Sequence, residues 1–416
     1  MQVESWLERA ARTRPHGPAV NALDAGALLD RARRADLQGA GPGDRVGIAL
    51  PPGTDFAVAL HATWLRGAIA VPHDLRLQPH ERPPADVVVD AVDLLDPARA
   101  VPPGARHDLD AVAVALQTSG STGRPKPVEL TFRNLLFSAL GSAALLGVAP
   151  GDRWLSALPP SHVGGLSVLV RSAIYGTAAT ILERWDTERV AHELQAGRAS
   201  LVSVVPTTLA RLLDGGLDRP PALRHALLGG APIAGHLLER ATAAGIRVAP
   251  TYGLTEAASQ VTTFGVPLFC TRVGLEADGE ITVRGLTVAP GSGPVLHTGD
   301  LGRLTADGRL ELIGRKADTI VTGGENVAPA EVEGVLERHP AVEEAGVHGR
   351  EDPEWGEAVV AVVVLREGRR ADARELQDHC AAHLARFKVP KDVRFAAALP
   401  RTGSGKLQRA GLPSVR

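Results

Sequence analysis

The alternation of strand-like and helical segments through the middle of the chain is the feature that most constrains its fold. Short apolar runs predict strands, and apolar residues spaced three and four apart predict helices. The predicted strands are 111–116, 154–158, 178–182 and 201–205, and the predicted helices are 132–146, 166–175 and 187–196. Alternation of this kind favours an α/β fold with mostly parallel sheets whose faces are covered by helices.

The first 110 residues carry a less regular form of the same pattern. Residues 56–64 have the apolar spacing of a helix, and residues 69–71 form a short strand-like run. Residues 86–103 are interrupted by Pro and Asp, which favours a surface connection. We therefore expect this region to belong to a large N-terminal domain.

The pattern changes after about residue 275. Glycine-separated strands predict a small antiparallel part, and beyond Gly314 a compact α+β segment begins. The antiparallel strands are predicted at 280–284, 302–304 and 310–313, and the α+β elements at 329–338, 343–348, 358–365 and 372–385. We predict an N-terminal domain of residues 1–314 and a C-terminal domain of residues 315–416.

Composition and charge exclude several classes of protein. The chain has 416 residues, of which 44% are hydrophobic and 22% charged, as in ordinary globular proteins. Its formal net charge of −2 provides no basic field for nucleic acid or anionic lipid. No apolar run reaches the roughly 18 residues that a membrane span requires.

The N-terminus and the cysteines indicate a reducing compartment. Glu4 and Glu8 lie where a signal peptide would carry positive charge, and no apolar stretch follows them. Cys270 and Cys380 are the two cysteines, and their spacing predicts neither a disulfide framework nor a zinc site. We therefore expect a cytoplasmic protein.

One loop of small residues carries the strongest chemical signal. Its hydroxyl groups, glycines and terminal lysine suit close approach of backbone N–H groups and a positive charge to phosphate oxygens. Because Pro127 follows the lysine, the loop is not of the Walker A type. The loop reads Thr118, Ser119, Gly120, Ser121, Thr122, Gly123, Arg124, Pro125 and Lys126.

This string resembles the phosphate loop of the adenylate-forming superfamily, which includes acyl-CoA synthetases and peptide-synthetase adenylation domains. Other segments resemble further motifs of that family, in the same order along the chain. They are Tyr252–Glu256 (YGLTE), Thr298–Asp300 (TGD), Gly314–Arg315, Gly323–Asn326 (GGEN) and Pro400–Lys406 (PRTGSGK). The resemblance implies a large N-terminal domain with helix-covered sheets and a small, mobile C-terminal domain.

The resemblance also implies a reaction and its co-substrates. A carboxylic acid would attack ATP to give an acyl-adenylate, with Mg²⁺ on the phosphates, and coenzyme A would then accept the acyl group. Positive charges and hydrogen-bond donors must neutralise the anions that meet at the α-phosphate. In the family the small domain rotates between the two half-reactions, and a homodimer is expected only by analogy.

Roles for individual residues follow from the matched motifs. Lys406 would bond the carboxylate and the α-phosphate, Thr255 would donate to the phosphate, and Glu256 would hold Mg²⁺. The adenine would lie against Tyr252, Gly253 and the segment Gly229, Gly230 and Ala231. Asp300 and Arg315 would bind the ribose, and Gly323 and Gly324 would line the pantetheine tunnel. The usual Asp or Lys of the hinge pivot is replaced by Ala317, which leaves the pivot residue open.

The acid is indicated by the segment that follows His162. GGLSVLVRSAIYG resembles the o-succinylbenzoate–CoA ligases of menaquinone biosynthesis, in which the histidine lies at the acyl entrance. The second carboxylate of this acid needs polar partners, and Ser259 and Arg171 are candidates, although Arg171 could instead lie on a helix surface. Ser161 and the short segment 264–275 depart from the pattern of these ligases.

Three alternatives stay open. The chain could activate another aryl or short-chain acid, or it could load a carrier protein instead of coenzyme A. A non-catalytic ATP-binding homologue is the third, and it is disfavoured because the motif residues are intact. The intact set is Lys126, Thr255, Glu256, Asp300, Arg315 and Lys406.

Overall fold

The structure is a computed structural model that describes residues 1–118, 126–401 and 407–414; the side chains of Lys126, Pro413 and Ser414 are also outside the description. The helices are α1 (Trp6–Thr13), α2 (Ala25–Arg34), α3 (Thr54–Leu65), α4 (Phe132–Leu146), α5 (Val163–Tyr175), α6 (Thr187–Gln195), α7 (Pro206–Asp214), α8 (Gly235–Ala243), α9 (Pro329–Leu336) and α10 (Ala373–His383).

The strands alternate with these helices through the first two thirds of the chain. They are β1 (Gln2–Glu4), β2 (Pro18–Val20), β3 (Leu23–Asp24), β4 (Arg45–Ile48), β5 (Ile69–Pro72), β6 (Val87–Val89), β7 (Arg106–Asp108), β8 (Val112–Thr118), β9 (Lys126–Thr131), β10 (Arg153–Ser156), β11 (Ala178–Ile181), β12 (Leu201–Val204), β13 (His225–Leu228), β14 (Val248–Tyr252), β15 (Thr262–Thr263), β16 (Val266–Pro267), β17 (Thr271–Leu275), β18 (Glu280–Gly285), β19 (Leu296–Leu304), β20 (Leu310–Arg315), β21 (Ile320–Thr322), β22 (Glu325–Val327), β23 (Val342–Asp352), β24 (Gly356–Leu365) and β25 (Asp392–Phe395).

The chain divides into two compact units. The first consists of Met1–Gly230, Ala241–Val273 and Val283–Leu296, and the second of Ala231–Arg240, Gly274–Thr282 and His297–Arg416. Each unit is therefore built from more than one stretch of sequence.

A nine-stranded sheet forms the larger layer of the first unit. Its order is β16-β15-β14-β13-β12-β10-β11-β2-β3. The strands from β14 to β2 run parallel to their neighbours, and the outer pairs are antiparallel. The predicted parallel α/β arrangement is confirmed for this region.

A second sheet of the first unit has the order β6-β4-β5-β8-β9, and β1 and β7 form a separate two-stranded antiparallel sheet. The sequence pattern does not predict β9, because Pro127 and Glu129 interrupt its apolar residues, yet it pairs antiparallel with β8. The interpretation of residues 86–103 as a surface connection is wrong in part. Three consecutive valines of β6 pair in parallel with β4 at the sheet edge, where Val88 is 45% exposed.

Local sequence explains where the central helices begin and end. Thr131 caps α4 by accepting from the Asn134 backbone, and the Asn134 side chain accepts from the Thr131 backbone in return. Helix α5 ends at Gly176, whose φ of +68° is the left-handed conformation that glycine adopts without strain. The predicted bounds 132–146 of α4 and the predicted end of α5 at residue 175 are confirmed, whereas α5 begins three residues before the predicted residue 166.

The second unit contains a five-stranded sheet in which β22, β21, β24 and β23 are consecutive and β25 pairs with β24. Helices α9 and α10 bury Val332, Leu336 and Leu376 in a core with the apolar residues of β24. A further sheet in the order β17-β18-β19-β20 spans residues 271–315. Across the described residues, no helix combines the length and the apolar character needed to cross a bilayer.

Candidate active site

The predicted phosphate loop connects the antiparallel strands β8 and β9. Thr118 and Lys126 are register partners and form the last strand pair before the connecting loop. The intervening predicted residues Ser119, Gly120, Ser121, Thr122 and Gly123 lie outside the described residues, as does the Lys126 side chain. Their assignment to phosphate binding therefore stays a prediction.

Two glycines mark the carboxyl ends of the neighbouring parallel strands β13 and β14. A Cβ atom at Gly229 would lie 2.7 Å from Cγ2 of Thr251, and one at Gly253 would lie 1.6 Å from the Ser259 carbonyl oxygen. Gly230 has a φ of +83°. Carboxyl ends of parallel strands are the usual ligand edge of such sheets, and only glycine permits this close backbone approach.

The segment after β14 presents the predicted metal ligand. Thr255–Ala257 forms one 3₁₀ turn shortly after Tyr252. Tyr252 itself is only 9% exposed. The Glu256 backbone carbonyl accepts from the Ala289 amide at 2.8 Å. Among the described residues, no cation or donor contacts the half-buried Glu256 carboxylate. Glu256 is thus held by its backbone while its carboxylate stays available.

Arg171 lies inside α5 and is 1% exposed, so the alternative that places it on a helix surface is wrong. Its Nη2 donates to the Ser259 hydroxyl at 3.3 Å, and its guanidinium lies 5.2 Å from the ring centre of Trp154. Burial lowers the pKa of the Arg171 guanidinium to about 10. In the part of the chain that the structure describes, no carboxylate pairs with it, and its buried Nε has no hydrogen-bond partner.

Backbone strain presents Ser259 to this arginine. Ala258 and Ser259 have φ values of +52° and +97°, which non-glycine residues rarely adopt. The Ser138 hydroxyl on α4 donates to the Ala258 carbonyl at 2.6 Å and holds the turn. The Ser167 hydroxyl lies 3.4 Å from that of Ser259. Neither serine was predicted as a site residue: Ser138 belongs to no recognised motif, and Ser167 lies in the quoted segment after His162 but was given no role.

His162 precedes α5 and contacts two charged residues that the motifs do not indicate. Its Nε2 lies 3.2 Å from Nη2 of Arg76 and 3.9 Å from the Asp74 carboxylate. Arg76 also donates to Asp74 through Nε at 2.9 Å. The Arg76 guanidinium holds the pKa of the Asp74 carboxyl below its usual range.

The predicted ribose residues lie in the second unit. Asp300 and Arg315 are register partners in β19 and β20, and Arg315 Nε donates to Asp300 Oδ1 at 3.1 Å. The Thr298–Asp300 motif is therefore part of a strand, although Gly299 has a φ of +70°. Gly323 and Gly324 form the turn of the β21–β22 hairpin with φ values of +59° and +83°.

The described site residues fall into two sets, one in each unit. The first unit brings the Gly229 and Gly253 edge, Glu256 and the Arg171–Ser259 pair into one region of α4, α5 and β14. The second holds Ala231, Asp300, Arg315 and the Gly323–Gly324 turn. Lys406 lies outside the described residues, and its role stays a prediction.

Family models match two parts of the chain. The model described as AMP-binding enzyme matches residues 83–291, and the model described as AMP-binding enzyme C-terminal domain matches residues 331–406. The predicted domain boundary after residue 314 lies between the two matched ranges and stays a prediction.

Named relatives match nearly the whole chain. The 2-succinylbenzoate–CoA ligase of Geobacillus sp. (strain WCH70) is 35% identical over 93% of this chain and 91% of its own. The o-succinylbenzoate CoA synthetase of Bacillus subtilis, solved with its acyl-adenylate intermediate, is 33% identical with a TM-score of 0.89, covering 100% of this chain and 99% of that one. The same synthetase solved with ATP and magnesium is 32% identical with a TM-score of 0.89, covering 99% and 100%. The chain therefore belongs to the family of AMP-binding enzymes, together with these ligases.

Proposed function

We propose that the protein joins o-succinylbenzoate to coenzyme A through an acyl-adenylate, with release of AMP and pyrophosphate. Its relatives are named for this ligase activity, and one of them was solved with the corresponding adenylate. The structural observation that carries the choice of acid is the buried Arg171 guanidinium, which lacks a carboxylate partner among the described residues.

A buried cation without a counter-ion is costly unless an anion reaches it. o-Succinylbenzoate has two carboxylates, and only the one on the succinyl chain is activated. The ring carboxylate would accept hydrogen bonds from the Arg171 guanidinium and from the Ser259 hydroxyl. These two groups already contact each other, with Arg171 Nη2 3.3 Å from the Ser259 hydroxyl oxygen. Benzoate, acetate and fatty acids have no second carboxylate to place there, so Arg171 favours the dianion over them.

The activated carboxylate would enter beside His162, whose ring Arg76 and Asp74 hold in place. Its oxygen attacks the α-phosphorus of ATP and pyrophosphate leaves. The glycines at the ends of β13 and β14 let the adenine and the α-phosphate approach the backbone closely. Thr255 would donate to that phosphate, and Asp300 would accept from the ribose hydroxyls.

The residues present fit a single magnesium ion. Mg²⁺ is commonly held by one or two carboxylates together with substrate phosphates and water. The described residues contain no cluster of three or more potential metal ligands, whereas Glu256 offers one half-buried carboxylate with no described partner. When bound, the ion would neutralise phosphate charge, and Glu256 would hold it next to the Thr255 donor.

Lys406 would complete the adenylation site by neutralising the carboxylate and the α-phosphate. In the second half-reaction the coenzyme A sulfur attacks the acyl carbonyl and AMP leaves. The tight Gly323–Gly324 turn would line the path of the pantetheine arm. This division gives Lys406 a role in the first step and leaves the second to other residues.

The proposal is tested by pyrophosphate release that depends on both ATP and coenzyme A. The panel is o-succinylbenzoate, benzoate, 4-hydroxybenzoate, acetate and octanoate, and a carrier protein replaces coenzyme A in a parallel series. We expect strong preference for o-succinylbenzoate and for coenzyme A. Preference for another acid would refute o-succinylbenzoate as the substrate. No pyrophosphate release with any acid, while ATP still binds, would refute a catalytic function.

Two further expectations belong to this proposal. A cytoplasmic location is supported by the two free cysteines, Cys270 and Cys380. A homodimer rests on analogy alone, and light scattering of the purified protein would test it by the mass in solution.

A further inference from the structure

Glu280 is a nearly buried carboxylate that no motif indicates. It is the first residue of β18, is 9% exposed, and follows the turn that Glu276 and Gly279 close with a hydrogen bond of 2.9 Å. An ionised carboxylate at such a position needs hydrogen-bond or charged partners that offset the free-energy cost of its burial. Its two oxygens contact two different elements of the second unit.

The first oxygen supports the Thr298–Asp300 segment. Glu280 Oε1 accepts from the Gly299 amide at 3.0 Å. The Thr298 hydroxyl donates to the Ile281 carbonyl at 2.8 Å and accepts from the Asp300 amide at 3.1 Å. Glu280 and its neighbour Ile281 therefore fix both residues that precede Asp300.

The second oxygen contacts the hinge. Lys316 Nζ donates to Glu280 Oε2 at 3.0 Å, and this contact holds the pKa of the Glu280 carboxyl below its usual range. Lys316 also pairs with Asp278 at 2.5 Å. Lys316 directly precedes Ala317, the position of the family's pivot. One carboxylate thus connects the ribose segment to the residue before the pivot.

We propose that Glu280 is a positioning residue for the ribose of ATP, acting through Asp300. The inference rests on the ribose role given to Asp300 under the proposed function. Gly299 has a φ of +70°, so its backbone amide does not follow the regular strand conformation. The Glu280 carboxylate is the acceptor that fixes the direction of this amide just before Asp300. Without Glu280 the Gly299 amide loses that acceptor, and the Asp300 carboxylate turns away from the ribose hydroxyls.

The test compares the binding of ATP and of 2′,3′-dideoxy-ATP by calorimetry, with no acid present. Wild type should bind ATP more tightly, because only ATP offers the diol to Asp300. Glu280→Met should weaken ATP binding by about tenfold, the size expected for losing a hydrogen bond to a charged group. Binding of the dideoxy nucleotide should stay within about twofold of wild type, since the lost contact serves the diol alone.

Matched variants separate this role from general damage to the fold. Glu280→Gln keeps an oxygen that accepts from Gly299, so ATP binding should weaken by only about threefold. Asp278→Asn removes the other partner of Lys316 without touching Gly299, and it should leave both nucleotides unaffected. If Glu280→Met does not fold, the proposal is still tested by comparing nucleotide binding in Glu280→Gln with that in Asp278→Asn.

Equal weakening of both nucleotides by the Glu280 variants would overturn the proposal, because a merely structural role predicts that result. Unchanged ATP binding in Glu280→Met would overturn it as well. A wild type that binds the two nucleotides equally would remove the ribose role of Asp300 and that of Glu280 with it. These results need no acid, so they are independent of the test for o-succinylbenzoate.

Discussion

Arg171 in the first unit and Arg409 in the second are buried to different degrees and satisfied in opposite ways. Arg409 keeps 21% of its side chain exposed, yet it donates to Asp318 at 3.0 Å and to both oxygens of Glu333 at 2.9 and 2.7 Å. Arg171 is 1% exposed and reaches one hydroxyl and one indole ring. The more buried cation has the weaker partners.

The difference distinguishes a ligand site from a structural contact. A buried cation that already has carboxylate partners stabilises the arrangement around it, whereas a buried cation without one is available to an outside anion. Glu256 is the acidic counterpart of Arg171, with no described partner for its carboxylate. The segment around residue 406 is flanked by completed pairs, Arg401 with Glu344 and Arg409 with Glu333.

The largest effect is expected for the lysine between those flanking pairs. Lys406→Ala should lower acyl-adenylate formation by about 10²–10³-fold, as for loss of one donor that stabilises transition-state charge. Conversion of supplied acyl-adenylate to the thioester should stay near wild type. Quenched-flow assays of each half-reaction measure both rates, and equal loss in the two would contradict the division of labour.

The same substitution at the two arginines should have opposite effects on stability. Arg409→Met leaves the buried Glu333 carboxylate unpaired and should cost about 3 kcal/mol of unfolding free energy. Arg171→Met removes an unpaired buried charge and should be neutral or stabilising. Urea unfolding gives both values. Arg350→Met, which breaks an exposed pair with Asp392, serves as the control and should cost less than about 1 kcal/mol.

Glu337 is a buried carboxyl near the completed pairs and should make stability depend on pH. Burial, and then repulsion from Glu333, raises the pKa of its carboxyl from 4.5 to about 7. The folded state therefore retains a proton that the unfolded state loses, and stability falls as pH rises from about 4.5 to 7. Glu337→Gln should stabilise by about 1–2 kcal/mol at pH 8 and by much less at pH 4.5, measured by urea unfolding. An equal gain at both pH values would contradict this cause.

The smallest effect is expected for Glu256 in the first unit, whose carboxylate has no described partner. Glu256→Gln should raise the magnesium concentration for half-maximal adenylation by about tenfold, because an amide oxygen is a weaker ligand than a carboxylate. A magnesium titration of pyrophosphate release measures the shift. Glu188→Gln, at the N-terminus of α6, is a control that should leave the titration unchanged. An unchanged magnesium requirement in Glu256→Gln would remove this residue from the metal site.

Much of the fold was predictable because local signals and tertiary structure agree. The Thr131 cap and the apolar period fix α4, and Gly176 ends α5 at the predicted residue. Strand β6 was missed because it lies among Pro and Asp residues, and β9 was missed because Pro127 and Glu129 interrupt its apolar residues. Both strands owe their conformation to pairing with a neighbouring strand. Pairing of that kind is not visible in a single segment.

The site was predictable where motifs are contiguous and not where distant residues meet. Arg76 and Asp74 contact His162 although they lie 86 and 88 residues before it in the sequence, and no local sequence pattern predicts that contact. A signal for Arg171 did exist. Helix α5 is apolar on nearly all sides, so an arginine within it must be buried.

The central claim is that Arg171 selects an acid with a second carboxylate. The most direct measurement is the ratio of kcat/KM for o-succinylbenzoate to that for 4-oxo-4-phenylbutanoate, which differs only by lacking the ring carboxylate. We predict that wild type favours o-succinylbenzoate by about 10²-fold or more and that Arg171→Met abolishes this preference. The variant should keep its activity on 4-oxo-4-phenylbutanoate, and Arg133→Met, which breaks an exposed pair with Asp110, should keep the wild-type ratio. A preference that survives in Arg171→Met would contradict the account.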